Sequence, residues 1–461
     1  MDPESSIKRA SPPSGLPIFT DQNDWKSTSF FGRTNYATGF SERHDFFGIK
    51  RLDRRRHLYI IGKTGVGKTK MIELLARADI DEGYGLCIID PHGDLIGALL
   101  DYIPREYSED VVLIDPTDVD FPVSFNPFYE VPAEDRHLVA SGLIEAFKKQ
   151  FGEQWTSRLE HVCRFTILAL LEYKEATFAD MMKMLTDAKF RQKVIPNITD
   201  DVIRRFWTLE FAAWSERFDN EAITPLVNRI GQFLSNPLIR HTFSQRDNKI
   251  NFDKLINSSS IILINLSKGV LGEENTELLG SLIITAIYQA AMRRAKILET
   301  ERVPFYLYVD EFQNVATQTF LNFFSESRKY GINITVSHQY LGQITPKMRD
   351  TIFGNAGTLV SFSLGAEDAE RMAKEFMPVC RIDDLLNLKA REFVAKLLID
   401  GRSTDPFSGE TMEVEEKKES YKKEIIEFSR SKYSRPIKEV QQELSGRDLT
   451  SEESEYETPL V

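Results

Sequence analysis

The segment His57–Leu75, HLYIIGKTGVGKTKMIELL, constrains this chain more than any other. An apolar run stops at a glycine, and Gly62, Lys63, Thr64, Gly65, Val66, Gly67, Lys68 and Thr69 match G-x-x-x-x-G-K-[ST] at every position. A helical pattern begins at once. Glycines at this spacing let backbone N–H groups wrap phosphate, Lys68 adds positive charge, and the Thr69 hydroxyl can reach magnesium. The helix that follows points further amides at the same place. The alternative is a glycine turn between strand and helix, and a chance match of the full motif is on the order of one in a hundred for a chain of this length. ATP and Mg2+ are therefore the expected ligands.

A phosphate loop needs a carboxylate on a neighbouring strand to organise the metal. The run FYLYVDEF ends in Asp310 followed by Glu311. Asp310 is expected to hold magnesium with Thr69, and Glu311 to polarise the attacking water. The competing expectation is that Asp310 caps a helix starting near Thr317. The later run NITVSHQ ends in His338 and Gln339. Strand tips in a parallel sheet line the ligand crevice, so Gln339 is expected to sense the γ-phosphate unless it is a plain surface residue. No catalytic role is expected for His338. Asp90, His92 and Asp94 of DPHGD fit either a water- or metal-facing role or ordinary turn chemistry.

From Leu58 onward strands and helices alternate, the pattern of a mostly parallel sheet covered on both faces, and the fold class is α/β. LYII, GLCIID and DVVLID come first, and Asp-Pro at residues 90–91 and 115–116 ends the latter two. Between about 130 and 250 no strand is evident, while Trp155, Trp207, Trp214 and many Phe and Leu recur at helical spacing. This predicts an inserted all-α domain over 131–249. SIILINL, FYLYVD, INITVS, GTLVSFSL and FVAKLLI then resume the strands, and the sheet is expected to close near residue 400. The nucleotide-binding domain is thus expected at 46–130 and 250–402. Residues 1–45 read as a partly disordered arm and 403–461 as a charged tail, helical over EVEEKKESYKKEIIEF and disordered over the acidic end.

Charge and cysteine content exclude some classes. A formal net charge of -12 over 461 residues argues against a nucleic-acid coat over the whole surface but permits a basic channel. Cys87, Cys163 and Cys380 lack metal-ligand spacing and are expected to be packing residues in a reducing interior. No signal-peptide pattern is present, and no run approaches the roughly 20 apolar residues that cross a bilayer. LLGSLIITAIYQAAM, from Leu278, reads as a buried helix. KRLDRRRH places Lys50, Arg51, Arg54, Arg55 and Arg56 together, either against a nucleic-acid backbone or on a solvated face or subunit contact.

The blocks HLYIIGKTGVGKT, IIDPHGDL, LIDPTDVDFPVSFNPF, LYVDEFQN, SRKYGINITVSHQ and FGNAGTLVSFSLGAEDAERMAKEF, in this order, resemble the conjugative type IV secretion coupling-protein ATPases, the TraG/TraD group. That group belongs to the wider class of hexameric DNA pumps that includes FtsK and HerA. The resemblance covers about residues 46 to 400. It implies a RecA-like motor interrupted by an all-α domain, a homo-hexamer around a channel, and ATP hydrolysis at subunit interfaces that moves single- or double-stranded DNA. It also places Arg328 where such proteins carry an arginine reaching into a neighbour's active site; the residues alone would make Arg328 a cation at a helix C-terminus. Membrane-anchored coupling proteins carry transmembrane helices before the motor, and this sequence has none. A cytoplasmic protein recruited to the inner face of the membrane by a relaxase or a membrane-embedded secretion partner is the resulting expectation. The alternatives are an ATPase energising protein secretion or envelope assembly, and a DNA pump unconnected with secretion.

Overall fold

The computed structural model describes residues 12–20, 25–35, 37–38, 41–42, 44–213, 222–414, 417 and 419–449. Trp214, the first residues of the expected arm and the acidic end from Thr450 lie outside the described residues. The chain divides into two compact units. The first comprises residues 1–112, 252–265 and 290–425, and the second 113–251, 266–289 and 426 onward.

An 11-stranded sheet organises the first unit. In chain order its strands are β1 (Thr28–Thr34), β2 (Phe46–Lys50), β3 (Leu58–Ile61), β4 (Gly85–Asp90), β5 (Val111–Ile114), β6 (Ile261–Asn265), β7 (Phe305–Val309), β8 (Ile332–His338), β9 (Thr358–Ser361), β10 (Glu392–Lys396) and β11 (Phe407–Thr411). The order across the sheet is β2-β1-β11-β10-β9-β3-β8-β7-β4-β6-β5, and at β5 the chain passes from the first unit into the second. Strands β9, β3, β8, β7, β4 and β6 run parallel to one another. Every residue of β3, β4, β7 and β8 is buried, which suits aliphatic and β-branched runs covered on both faces.

Strands β10, β11, β1 and β2 form an antiparallel wing on the other side of β9. The wing corrects two expectations. Part of the predicted arm is β1, part of the predicted tail is β11, and the sheet does not close near residue 400. Neither strand carries an unbroken apolar run. Each contains a glycine that makes room for a ring: a Cβ on Gly32 would lie 2.8 Å from Phe47 Cζ, and one on Gly409 3.0 Å from the same ring. Phe47 in turn packs edge-on to Phe31 and Phe407, with ring centroids 5.5 and 5.1 Å apart.

Helix α1 (Lys68–Asp81) follows β3, and α2 (Asp94–Tyr102) follows β4. The basic run before β3 divides in a way its composition did not separate. Arg51 and Arg54 are buried and both donate to the Asp79 carboxylate on α1. Arg54 also reaches Ser29 of β1 at 2.9 Å and the Tyr308 hydroxyl of β7 at 2.6 Å. Its guanidinium lies 4.0 Å from the Tyr306 ring centroid. Lys50 pairs with Asp400 at 2.6 Å, and Arg55 and Arg56 are exposed.

In the second unit, α3 (Arg136–Phe151) packs on α4 (Ser157–Leu171), with further helices at Asp180–Thr186, Ala188–Val194, Thr224–Ser235 and Pro237–Phe243. The unit takes in more chain than the expected insert. Gly142 of α3 meets Thr285, where a Cβ would lie 2.1 Å from Thr285 Cγ2. Trp207 is buried, and Trp155 packs at a tilt against Phe151 with ring centroids 5.4 Å apart. The run from Leu278 lies on a helix over Glu273–Arg293, with Leu278, Leu279, Leu282 and Ile283 buried. The chain from Lys422 adds helices Lys422–Tyr433 and Ile437–Leu449. Among the described residues no helix is long and apolar enough to cross a membrane. The three cysteines are free and buried.

Asp79 is fully buried between two guanidinium groups, so removing its charge leaves them uncompensated. Asp79→Asn is expected to lower the unfolding free energy by about 3–5 kcal/mol. Urea titration checks this, and a loss under about 1 kcal/mol would mean that water reaches the pair.

Candidate active site

The P-loop leaves the C-terminal end of β3 and is pinned on both sides. The Gly62 N–H donates to the His338 carbonyl at 3.3 Å and the Lys63 N–H to the Ser363 carbonyl at 3.0 Å. The backbone of Gly65 and Gly67 has φ of 77° and 117°, a region that favours glycine. A Cβ on Gly62 would lie 2.6 Å from Phe362 Cβ, so that position needs glycine for space rather than conformation. The Val66 carbonyl accepts from the Arg391 N–H at 2.8 Å, so the antiparallel wing braces the loop. Among the described residues, the amides of Thr64, Gly65, Val66 and Gly67 donate to no acceptor in the chain. The Lys68 ammonium is buried and donates to the carbonyls of Gly62 at 2.7 Å and Lys63 at 2.9 Å. Burial lowers its pKa, against the opposing pull of Asp310 and Glu311.

Parallel pairing of β7 with β4 and β8 carries Asp310 to the same rim. The Thr69 hydroxyl donates to Asp310 Oδ2 at 2.8 Å, Ser337 Oγ donates to Oδ1, and the Glu311 N–H reaches Oδ1 at 3.0 Å. The buried Asp310 thus joins the P-loop helix to the tip of β8. It caps no helix: Thr317 itself accepts the Phe320 N–H at 3.2 Å to start the helix Gln318–Glu326.

Glu311 takes the left-handed conformation, φ 45° and ψ 52°, uncommon for a side chain of its size. The turn re-aims its carboxylate toward the tips of neighbouring strands. Gln339 Nε2 donates to Glu311 Oε1, and His92 Nε2 lies 3.1 Å from Oε2. The hydrogen bond to Glu311, with smaller contributions from Asp90 and Asp310, raises the His92 pKa above 6.5 against partial burial. Asp90 instead accepts the N–H groups of His92, Leu95 and Ile96 at 2.8, 2.9 and 3.2 Å, fixing the start of α2. Asp94 is exposed in the first turn of that helix. His338 is buried against the Tyr59 hydroxyl, and burial lowers its pKa to about 3, which leaves it neutral.

Arg328 stands apart from these groups. It is exposed in a single 3-10 turn, Ser327–Tyr330, just before β8. The P-loop and Gln339 lie beyond the other end of that strand, on the order of 20 Å away at about 3.3 Å per residue. Sequence reasoning missed Ser337, His92 as a partner of Glu311, and Arg391. Position at a strand tip could have signalled Ser337; nothing local distinguished the other two.

Two oxygen donors beside the P-loop suit a hard cation that completes its shell with phosphate oxygens. Among the described residues no cluster of three or more His, Cys, Asp or Glu side chains could form a protein-only metal cage. A parallel sheet with a phosphate loop facing an Asp-Glu pair defines a P-loop nucleoside triphosphatase of RecA-like fold. The chain belongs to the family of the HerA helicase central domain, whose model matches residues 52–287, over half its length. The TraM recognition site of TraD and TraG matches residues 304–376.

Among solved structures, the bacterial conjugative coupling protein TrwBdeltaN70 in its unbound form aligns with a TM-score of 0.61 at 16% identity, covering 81% of this chain and 89% of that one. The plasmid coupling protein TrwB with ADP and Mg2+ aligns at 0.60 and 15% identity over 81% and 89%. TrwB with a non-hydrolysable ATP analogue aligns at 0.60 and 14% identity over 89% and 98%. At these identities the likeness is one of fold. No curated protein sequence matches the chain.

The raised His92 pKa generates a pH dependence. A cationic His92 holds Glu311 tightly below that pKa, and the hold weakens as pH rises through it. The ATPase rate is expected to climb through one ionisation above pH 6.5, and His92→Asn to flatten that limb. A pH profile unchanged in the variant would exclude His92 as its source.

Proposed function

We propose that the chain is an ATP-hydrolysing DNA motor of the conjugative coupling-protein kind, acting as a ring of identical copies, six in number. The observation that carries this proposal is the Asp310 carboxylate, which accepts Thr69 from the P-loop while its neighbour Glu311 is aimed by Gln339 and His92. The family match and the fold shared with TrwB support it, as do the nucleotide and Mg2+ named for the TrwB structures. ATP is the proposed triphosphate, with Thr69 and Asp310 holding Mg2+. The metal supplies charge neutralisation on the phosphates.

Each site residue then has a defined task. Gly62 and Lys63 anchor the loop through their own amides, the amides from Thr64 to Thr69 bind phosphate, and Lys68 exchanges its carbonyl partners for phosphate oxygens. Glu311 accepts a proton from water, and Gln339 links Glu311 to the end of β8. Arg328, too far from its own P-loop, stabilises charge at a neighbour's site, a contribution of about 10³ to 10⁵ in rate. DNA backbone contacts in the channel make binding salt-sensitive and nearly indifferent to sequence. The match to the TraM recognition site supports docking to a relaxase complex or a membrane-embedded secretion partner at the cytoplasmic face.

Glu311→Gln is expected to retain ATP and to slow hydrolysis about 10²- to 10⁴-fold, while Lys68→Ala loses nucleotide affinity or turnover. Wild-type hydrolysis by the Gln variant would remove Glu311 as the base. The wild-type rate is expected to rise on adding single- or double-stranded DNA at low salt, with particle mass reporting the ring. A DNA-indifferent rate would favour an energiser of protein secretion. Arg328→Ala is expected to be inactive alone and partly active when mixed with Lys68→Ala, since each copy supplies what the other lacks. Activity of Arg328→Ala on its own would sink the shared-site arrangement.

A further inference from the structure

Arg294 is fully buried, yet among the described residues no carboxylate pairs with it. Nε donates to Asn257 Oδ1 at 3.0 Å, Nη1 to the carbonyls of Tyr330 at 2.8 Å and Gly331 at 3.3 Å, and Nη2 to those of Ile256 at 2.9 Å and Val303 at 2.7 Å. These bonds occupy the full donor set of a guanidinium, and every acceptor is neutral. Burial, with some repulsion from Arg302, lowers its pKa to about 10, so it remains a cation at neutral pH. A desolvated charge without a counterion is a poor way to gain stability compared with an apolar side chain. It is a good way to fix geometry.

The carbonyls it holds precede β6, β7 and β8, and Tyr330 ends the Arg328 turn with Gly331 directly after it. Gly331 has φ 72°, and a Cβ there would lie 3.3 Å from Arg294 Nη1. Two further groups hold the same turn. Arg302 Nη1 donates to the Lys329 carbonyl, while its Nε bonds the carbonyls of Arg294 and Ile297 at 3.0 Å. His57 accepts the Ile334 N–H on Nδ1 at 3.1 Å, which leaves Nε2–H for Ser327 Oγ at 3.3 Å. Ser327, Lys329 and Tyr330 are therefore all tied down. Among the described residues no hydrogen bond or ion pair holds the Arg328 guanidinium, which lines a cavity of about 630 Å³ with Arg56, Arg302, Lys329 and the acidic Glu299.

We propose that Arg294 is a positioning residue for Arg328: its buried guanidinium, seconded by Arg302, presets the turn that offers Arg328 to a neighbouring copy's nucleotide. The proposal rests on the trans role of Arg328. A misplacement of about 1 Å in such a group costs about 10²-fold in rate.

The test uses the full chain with ATP. Arg294→Gln is expected to lower kcat about 10²-fold with KM and ATP-analogue binding within about twofold, because its own P-loop is untouched. Arg294→Lys, which keeps the charge and part of the donor set, recovers some of that rate. Mixing distinguishes positioning from general damage: Arg294→Gln with Lys68→Ala regains activity, and Arg294→Gln with Arg328→Ala does not. Loss of kcat and nucleotide binding together, with no rescue by Lys68→Ala, would overturn the proposal, as would an unchanged kcat. If Arg294→Gln does not fold, Arg302→Met carries the same comparison, and an unchanged kcat or a loss shared with binding overturns it there too. Activity of Arg328→Ala alone would identify failure of the trans role rather than of Arg294.

Discussion

The structure depends on the parallel register of β4, β7 and β8, which delivers one carboxylate to the P-loop. Val309 pairs across to Ile89 on one side and Val336 on the other, and the Asp310 N–H continues the ladder to the Ile89 carbonyl at 3.1 Å. A slip of one residue would turn the side chains of β7 to opposite faces and take Asp310 away from Thr69. The hydrophobic runs on both faces of these strands therefore set the position of a polar group at the strand's end. Closely packed interiors are stiff enough to hold such a placement.

The same sheet separates two sets of chemistry. At the C-terminal rim are the phosphate-facing amides, Lys68, Asp310 and Glu311; beyond the other end of β8 is Arg328. A strand cannot shorten, so the two sets stay apart within one chain. Buried polar clusters stand behind each end. Asp79 with Arg51 and Arg54 ties β1, α1 and β7 together, and Arg294 ties the approaches to β6, β7 and β8. In a low-dielectric interior such networks are costly unless fully bonded, and when bonded they specify a single geometry.

Much of the site was legible because its parts are local. The P-loop is one contiguous segment with glycines at defined positions, and Asp310, Glu311 and Gln339 sit where apolar runs stop. Less legible was whatever depends on a distant partner. Arg51 and Arg54 looked like the rest of their basic run, because nothing nearby in sequence announces Asp79 or Tyr308. Strands β1 and β11 escaped notice because their glycines and polar residues make sense only against the Phe47 ring. His92 could be read as a turn residue until Glu311, more than two hundred residues later, was found beside it.

The sequence by itself determined a P-loop between strand and helix, an alternating α/β order and the acids that end a later apolar run, because backbone preference, periodicity and residue chemistry are local properties. Only the tertiary structure decided which cations are buried and which face solvent, that the wing of β10, β11, β1 and β2 braces the loop, and that Arg328 stands at the far end of the sheet from the P-loop. Those outcomes follow from strand register and long-range packing, where the energy of a group depends on neighbours that the chain brings together only when it folds.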